Sequence, residues 1–124
     1  HRVDRRQRQM CIRDRDKMAR KEAIAEATRG AINTPLDVMQ TAEQSLEVME
    51  AMAEHGLQAS LSDAAVGAMC ALTAVKGAFL NVKINCSGFS DTKFVESALQ
   101  KAEVIMSKAK AREAQIMKNV LAKI

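Results

Sequence analysis

Apolar residues recur every three or four positions along most of the chain, which is the spacing of one face of an α-helix. The pattern predicts four helices, over residues 16–32, 35–54, 63–85 and 91–124. No segment alternates apolar and polar residues as a half-buried strand does. We therefore expect an all-α fold, an antiparallel helical bundle of about four helices, truncated on its N-terminal side.

Three of the predicted helices carry a one-sided apolar stripe, the face that a helix turns towards a core. The stripe of the first is short, with Met18, Ile24, Ala27 and Ala31. The second has Met39, Ala42, Leu46, Met49 and Ala53, and the last has Phe94, Ala98, Ala102, Ile105, Ala109, Ile116 and Val120. The last helix is long, so we expect its C-terminal third to overhang or to pack on a partner.

Capping residues set the expected helix boundaries. Thr34 fits an N-cap and Pro35 the first helical position, which predicts a break between the first two helices. Gly56 suits a left-handed helix stop. Ser60 or Ser62 is expected to cap the third helix, and Ser90 the last.

The third helix has small residues at positions 67, 71, 74 and 78, followed by Asn81. Small residues at this spacing let a neighbouring backbone come close, so we expect a central helix packed on more than one side. Gly67 and Gly77 support this interpretation, because each costs about 1 kcal/mol in a helix interior unless packing needs the space. Asn81 is then expected to be buried.

Asn81 and Asn85 lie one helical turn apart and have two interpretations. A buried amide costs a few kcal/mol unless its hydrogen bonds are made inside the protein. The pair could form a structural link, such as a bond to a neighbouring helix terminus or across a subunit interface. Alternatively, the two amides could line a cleft and bind a polar ligand.

Composition limits the class of protein. At 124 residues with 48% apolar side chains, the chain is one domain or less. The three cysteines, Cys11, Cys70 and Cys86, have no metal-ligand spacing, so we expect free thiols in a reducing, cytoplasmic setting and no metal. Because no run of 18 apolar residues occurs, we expect no transmembrane helix and no membrane partner.

The positive charge is confined to the first fifteen residues. Residues 1–15 hold six Arg against two Asp, whereas residues 16–124 hold 13 basic and 13 acidic side chains. An arginine-rich arm could bind phosphates, but it has no aromatic residue to stack on bases, and the body has no second basic surface. We therefore expect no nucleic-acid partner. The end of this stretch, MCIRDR, resembles translated sequencing-adapter read-through, so residues 1–15 are expected to be non-native or disordered and residues 16–124 to form the domain.

Residues 16–124 resemble a known family through three stretches, TPLDVMQTAEQSLEVMEAMAEHG, SLSDAAVGAMCALTAVKGAFLNVKIN and FSDTKFV. They are similar to the cyclodeaminase/cyclohydrolase family of folate enzymes. The matching positions are Pro35, Leu36, Ser62, Asp63, Gly77, Ala78, Asn81, Val82, Ile84, Asn85, Asp91 and Phe94.

The resemblance implies an all-helical homodimer that acts on one-carbon units carried by tetrahydrofolate. The implied reaction is loss of ammonia from 5-formimidoyl-tetrahydrofolate or hydrolysis of 5,10-methenyl-tetrahydrofolate. In the family, the catalytic Asp and a Gly-rich loop lie ahead of the matched region, so we assign no catalytic residue to this chain and expect this fragment to be inactive. The expected substrate-binding residues are Asn81, Asn85, Ser62 and Asp63, each of which could equally be structural. The alternative is a non-enzymatic helical interaction module.

Overall fold

The fold consists of long helices, as seen in a computed structural model that describes residues 2–124, with side chains from residue 4 onwards. Over this range the helices are α1 (Arg2–His55), α2 (Leu61–Cys86) and α3 (Thr92–Lys123), and a 3-10 turn, Gln58–Ser60, precedes α2. None of the described residues lies in a strand. The all-α class is confirmed, but the count of four helices is wrong.

The difference in helix number lies at Pro35, which is inside α1 rather than at its start. The sequence predicted a break with Thr34 as the N-cap, and this is wrong. A proline in a helix interior removes one N–H and leaves the carbonyl four residues earlier without its usual donor. The helix continues through Pro35, and the Ala31 carbonyl receives a hydrogen bond from α2 in place of the missing one.

The chain divides into two compact units, residues 1–30 and 31–124. In the first unit Met18 and Ile24 are 72% and 60% exposed, so the apolar stripe expected there is not buried. Arg29 pairs with Glu22 and Glu26 along the same helix. The predicted division, with residues 1–15 non-native or disordered and residues 16–124 forming the domain, stays a prediction.

The core of residues 31–124 contains most of the stripes predicted for the second and last helices, but only Ala71 and Ala78 of the small-residue face predicted for α2. In α1 the fully buried positions recur every seventh residue, at Ile32, Met39, Leu46 and Ala53. The buried side chains of α2 are Leu61, Ala64, Ala65, Ala68, Ala71, Val75, Ala78, Val82 and Cys86, and those of α3 are Ala98, Ala102, Met106, Ala109, Ile116 and Val120. Ile116 and Val120 belong to the C-terminal third of α3, so the expected overhang is wrong.

The two glycines of α2 differ in their surroundings. A Cβ on Gly67 would lie 2.7 Å from the sulfur of Met49 on α1, so the flexible end of the Met49 side chain would have to move to make room for it. A Cβ on Gly77 would meet nothing within 4 Å. The close packing expected at these glycines is therefore found at Gly67, against the end of the Met49 side chain, and is not found at Gly77.

The turn from α1 to α2 has neither the left-handed glycine nor the serine N-cap that the sequence predicted. Gly88 is the glycine with a positive φ in the described range, so Gly56 does not form a left-handed stop. Gly56 instead provides space, because a Cβ there would contact the carbonyl oxygen of Met52, which accepts a hydrogen bond from the Gly56 N–H at 2.8 Å. Ser60 precedes the first residue of α2, but its side chain makes no capping hydrogen bond.

The turn from α2 to α3 depends on Gly88 and Asp91. Gly88 has φ +78°, a left-handed conformation that other residues rarely adopt. Asp91, rather than the predicted Ser90, is the N-cap of α3, and its carboxylate accepts a hydrogen bond from the Phe94 N–H at 3.2 Å. The short connection makes α2 and α3 antiparallel neighbours.

Helices α1 and α3 are joined by polar contacts. Arg112 on α3 lies 3.3 Å from Glu43, 3.4 Å from Glu47 and 3.5 Å from Glu50, all on α1. At the other end of this contact, the Lys123 ammonium donates to the carbonyl oxygen of Ala53 at 2.8 Å. This last bond satisfies a carbonyl at the C-terminal end of α1.

The stretch Gln58–Cys86 is long and apolar enough to cross a membrane, with a mean hydropathy of 1.5 in its most apolar window. The sequence predicted no such helix because the criterion was an unbroken apolar run, whereas mean hydropathy tolerates isolated polar residues. Of the residues in that window, 33% are buried inside the structure. The core helix of a water-soluble protein meets the same criterion, so the finding is weak evidence for a membrane segment.

Candidate functional site: a cavity between α1 and α2

The site begins with the carbonyl that Pro35 releases. Because Pro35 has no N–H, the Ala31 carbonyl has no donor four residues later in α1. The side chain of Asn85, next to the last residue of α2, donates from Nδ2 to this oxygen at 2.8 Å. A carbonyl can only accept, so the bond fixes which end of the Asn85 amide faces α1. The predicted structural link is therefore confirmed for Asn85.

Asn81 lies one turn before Asn85 and is exposed, so the prediction that it is buried is wrong. The small-residue stripe of α2 lies at the edge of the core, so that one side of the stripe is buried and the other side is exposed. Ala71 and Ala78, on one side of the stripe, are buried, whereas Ala74 and Asn81, on the other side, are exposed. No hydrogen bond of the Asn81 amide is found among the described residues, which leaves its donors and its acceptor available.

Both asparagines line one open cavity of about 540 Å³. Its volume lies within the range of roughly 300–1,000 Å³ that is usual for small-molecule sites. Two helices supply its walls, and the lining residues are Ala31, Thr34, Pro35 and Val38 from α1 and Ala74, Ala78, Asn81 and Asn85 from α2. None of these side chains carries a charge. The cavity therefore offers hydrogen-bonding groups on an otherwise apolar surface.

A second, larger groove of about 700 Å³ continues from this cavity along the same two helices. The two share Thr34, Val38 and Ala74. Most of the additional lining is apolar, but the groove also includes Asp37 and the exposed thiol of Cys70. Asp37 is the charged side chain among the residues that line this groove.

The other two predicted site residues, Ser62 and Asp63, are exposed in the first turn of α2. Neither lines the asparagine cavity. Nineteen residues separate Ser62 from Asn81, which corresponds to roughly 28 Å along an α-helix. The structure thus brings Asn81 and Asn85 together and leaves Ser62 and Asp63 at the far end of the helix.

No titratable side chain lines the cavity itself, although Asp37 lines the adjoining groove. Lys83 is exposed on another side of α2, where its ammonium lies 5.5 Å from the centre of the Phe79 ring. Burial raises the pKa of the Cys86 thiol, which keeps it neutral. Among the described residues, no three His, Cys, Asp or Glu side chains converge as metal ligands. The amide and hydroxyl groups of the cavity can therefore bind and orient a ligand, but they do not supply an acid or a base.

Sequence reasoning found the α2 wall of this cavity and missed the α1 wall. Thr34 and Pro35 have the pattern of a helix start, which gives no indication that they lie opposite Asn81 and Asn85. A usable signal was present, since a proline inside a helical pattern releases a carbonyl that needs a donor from elsewhere. An amide one residue before the end of another helix is a candidate for that donor.

Comparison with known proteins agrees with this part of the chain. Residues 7–104 match the family model described as formiminotransferase-cyclodeaminase, and this range contains every residue that lines the cavity. The chain is 32% identical over 111 residues to a methenyltetrahydrofolate cyclohydrolase from Methylorubrum extorquens, covering 90% of this chain and 53% of that protein. The chain therefore spans about half the length of this curated relative.

Two further relatives carry the name formimidoyltransferase-cyclodeaminase. The protein from Dictyostelium discoideum is 38% identical over 87 residues, which is 70% of this chain and 16% of that protein. The protein from Rattus norvegicus is 30% identical over 95 residues, which is 77% of this chain and 18% of that protein. The resemblance found in the sequence is confirmed: the chain belongs to the formiminotransferase-cyclodeaminase family.

Proposed function

We propose that this chain is part of an enzyme that acts on one-carbon units carried by tetrahydrofolate. The reaction is either the loss of ammonia from 5-formimidoyl-tetrahydrofolate or the hydrolysis of 5,10-methenyl-tetrahydrofolate. The names of the relatives support these two chemistries. The observation that carries the proposal is the cavity of about 540 Å³ with two carboxamides, which lies wholly within the family match.

The chain supplies substrate-binding groups rather than the catalytic acid or base. Both reactions move a proton at the one-carbon bridge, which calls for a positioned titratable group. The side chains that line the cavity are apolar, hydroxyl or amide groups, which do not titrate near neutral pH. We therefore assign substrate binding to Asn81 and Asn85 and expect this chain by itself to be inactive.

An absorbance assay tests this function. The methenyl form absorbs in the near ultraviolet, so its loss or formation reports either reaction directly. Residues 1–124 alone should bind tetrahydrofolate derivatives without turnover, and a longer protein that contains them should convert one of the two substrates. If the longer protein converts neither and the chain binds no folate, the proposal is wrong.

We also propose that the chain works as a cytoplasmic homodimer that pairs through α2. The face of α2 opposite its buried residues carries exposed apolar side chains at Val66, Met69, Leu80 and Ile84, with the open notch of Gly77 among them. This stripe has no charge, so two copies of it can face each other without repulsion. An antiparallel pairing would bring Ser62 and Asp63 of one copy towards Asn81 of the other, which gives these two predicted residues a role near the site.

Sedimentation analysis distinguishes a dimer from the alternative, a self-sufficient helical interaction module. Replacing Leu80, which is 66% exposed, by glutamate should convert a dimer to a monomer, because it places a charge in an apolar interface. The matched control is Val104→Glu on α3, a position that is also exposed. A wild-type chain that stays monomeric at high concentration would favour the interaction module and contradict the dimer.

A further inference from the structure

The asparagine cavity has an electrostatic character that decides which part of a folate it accepts. None of its eight lining residues is charged, and the neighbouring groove that shares three of them adds the carboxylate of Asp37. Asn85 lies next to the last residue of α2, where the helix dipole places partial negative charge. The surroundings therefore repel carboxylates and favour groups that are uncharged or positive.

A folate has two chemically different ends. One is a flat fused ring whose 2-amino-4-oxo edge presents N–H donors beside a carbonyl acceptor, and it is uncharged or, in the methenyl form, cationic. The other is a glutamate tail with two or more carboxylates. Carboxylates are usually bound by Arg, Lys or the N-terminus of a helix, and the cavity lining provides none of these.

The hydrogen-bonding groups of the cavity complement the ring edge. One N–H of the Asn85 Nδ2 is engaged by the Ala31 carbonyl, which leaves Oδ1 to accept an N–H from a ligand and the second N–H as a donor. One turn away, the Asn81 amide offers both a donor and an acceptor, and Thr34 adds a hydroxyl from the opposite wall. Ala74 and Ala78 provide small apolar surface against which a flat ring can lie.

We propose that this cavity binds the fused-ring end of a folate through Asn81, Asn85 and Thr34, and that the glutamate tail lies outside it. This inference rests on the proposed folate function and adds the orientation of the substrate. In this arrangement Asn85 is oriented by the carbonyl that Pro35 releases, so the proline fixes the direction of the acceptor that the ring meets.

Fragment binding by NMR tests the orientation. The ¹⁵N-labelled chain of residues 1–124 is titrated with a reduced 2-amino-4-oxopteridine, with p-aminobenzoylglutamate and with 5-formyl-tetrahydrofolate. Side-chain amide signals of Asn81 and Asn85 are assigned from their alanine variants. The pteridine and the whole folate should shift these signals, and the tail fragment should not.

Variants make the test quantitative. Asn81→Ala should weaken pteridine binding about tenfold, the loss expected for one hydrogen bond in a partly dry site, and Thr34→Val should weaken it by a smaller factor. Asn119→Ala is the control, because Asn119 accepts its hydrogen bond from Gln115 within α3, away from the cavity. Circular dichroism confirms that each variant is folded.

The outcomes separate the orientation from the function. If the tail fragment shifts the two amide signals, or if the whole folate binds without shifting them, the orientation is wrong while the folate function stands. If the pteridine shifts them but the whole folate does not bind, the cavity assignment stands and the folate function is wrong. If neither the pteridine nor the whole folate binds, both are wrong.

Discussion

The bond between Asn85 and the carbonyl released by Pro35 makes a prediction that connects local and tertiary structure. Asn85→Ala removes the 2.8 Å hydrogen bond and leaves the Ala31 carbonyl with neither a helical donor nor a side-chain donor. A typical hydrogen bond contributes about 0.5–1.5 kcal/mol net, and an unsatisfied buried acceptor costs about 1–3 kcal/mol. The Ala31 carbonyl faces an open cavity that water can enter, so we expect a loss of about 1 kcal/mol.

Pro35→Ala should remove the need for this bond. Alanine restores the N–H that the Ala31 carbonyl otherwise lacks, and it relieves a residue that costs about 3 kcal/mol relative to alanine in a helix interior. We therefore expect Pro35→Ala to raise the free energy of unfolding. In that background, Asn85→Ala should cost only a few tenths of a kcal/mol, which gives a coupling energy of about 1 kcal/mol between the two positions.

Urea unfolding followed by circular dichroism at 222 nm gives the free energy of unfolding of the wild type, of Asn85→Ala, of Pro35→Ala and of the double variant. Asn81→Ala is the matched control, since Asn81 lies one turn away on the same wall and should change the unfolding free energy by less than about 0.5 kcal/mol. If the effects of Asn85→Ala and Pro35→Ala are additive, the hydrogen bond does not compensate for the proline. That result would refute the Asn85 bond as the reason why α1 continues through Pro35.

Three further predictions concern the two glycines of α2 and the ion pairs between α1 and α3. Gly67→Ala should destabilise the fold by no more than about 1 kcal/mol, because the Met49 sulfur, 2.7 Å from the new Cβ, lies near the flexible end of its side chain and can move, and this cost should disappear in a Met49→Ala background. Gly77→Ala, with nothing within 4 Å in the single chain, should instead raise the melting temperature of the monomer by lowering the entropy of the unfolded chain; a decrease at concentrations where the chain dimerises would show that the notch packs on the partner copy. Arg112→Met should lower the free energy of unfolding, measured by chemical denaturation, by about 1–3 kcal/mol, because Glu43, whose side chain is only 10% exposed, loses its cation. If Arg112→Met lowers the free energy of unfolding equally in a Glu43→Gln background, Glu43 is not the cause.

The sequence predicted α2 and α3 well because their signals are local. Gly88 and Asp91 lie in the short turn between the two helices, and the apolar stripes follow the helical period without interruption. When a helix buries a regular stripe, the identity of its buried residues depends little on which neighbouring helix covers them. Most core positions of α3 could therefore be predicted without knowledge of the tertiary arrangement, whereas only Ala71 and Ala78 of the face predicted for α2 are buried.

The continuation of α1 through Pro35 could not be predicted from local rules. A Thr-Pro pair inside a helical pattern is typical of a helix start, and propensity alone favours a break there. The donor that compensates for the proline, Asn85, is 54 residues away in the sequence. The donor for the released carbonyl is thus a tertiary contact, which one sequence without structure does not reveal.

The same dependence explains why the roles of the two asparagines were only partly predicted. Both lie on the stripe that meets α1, and a helical period cannot tell which side of such a stripe the core reaches. The direction of α1 decides this, and α1 is held by the Met49–Gly67 contact at one end and by the Asn85 bond at the other. With α1 in place, Ala78 falls inside the core and Asn81 falls outside it, on the wall of the cavity. Pro35 therefore bears on both predictions. It gave the first helix the pattern of a helix boundary, and the carbonyl that it releases engages Asn85, whereas Asn81 stays available to a ligand.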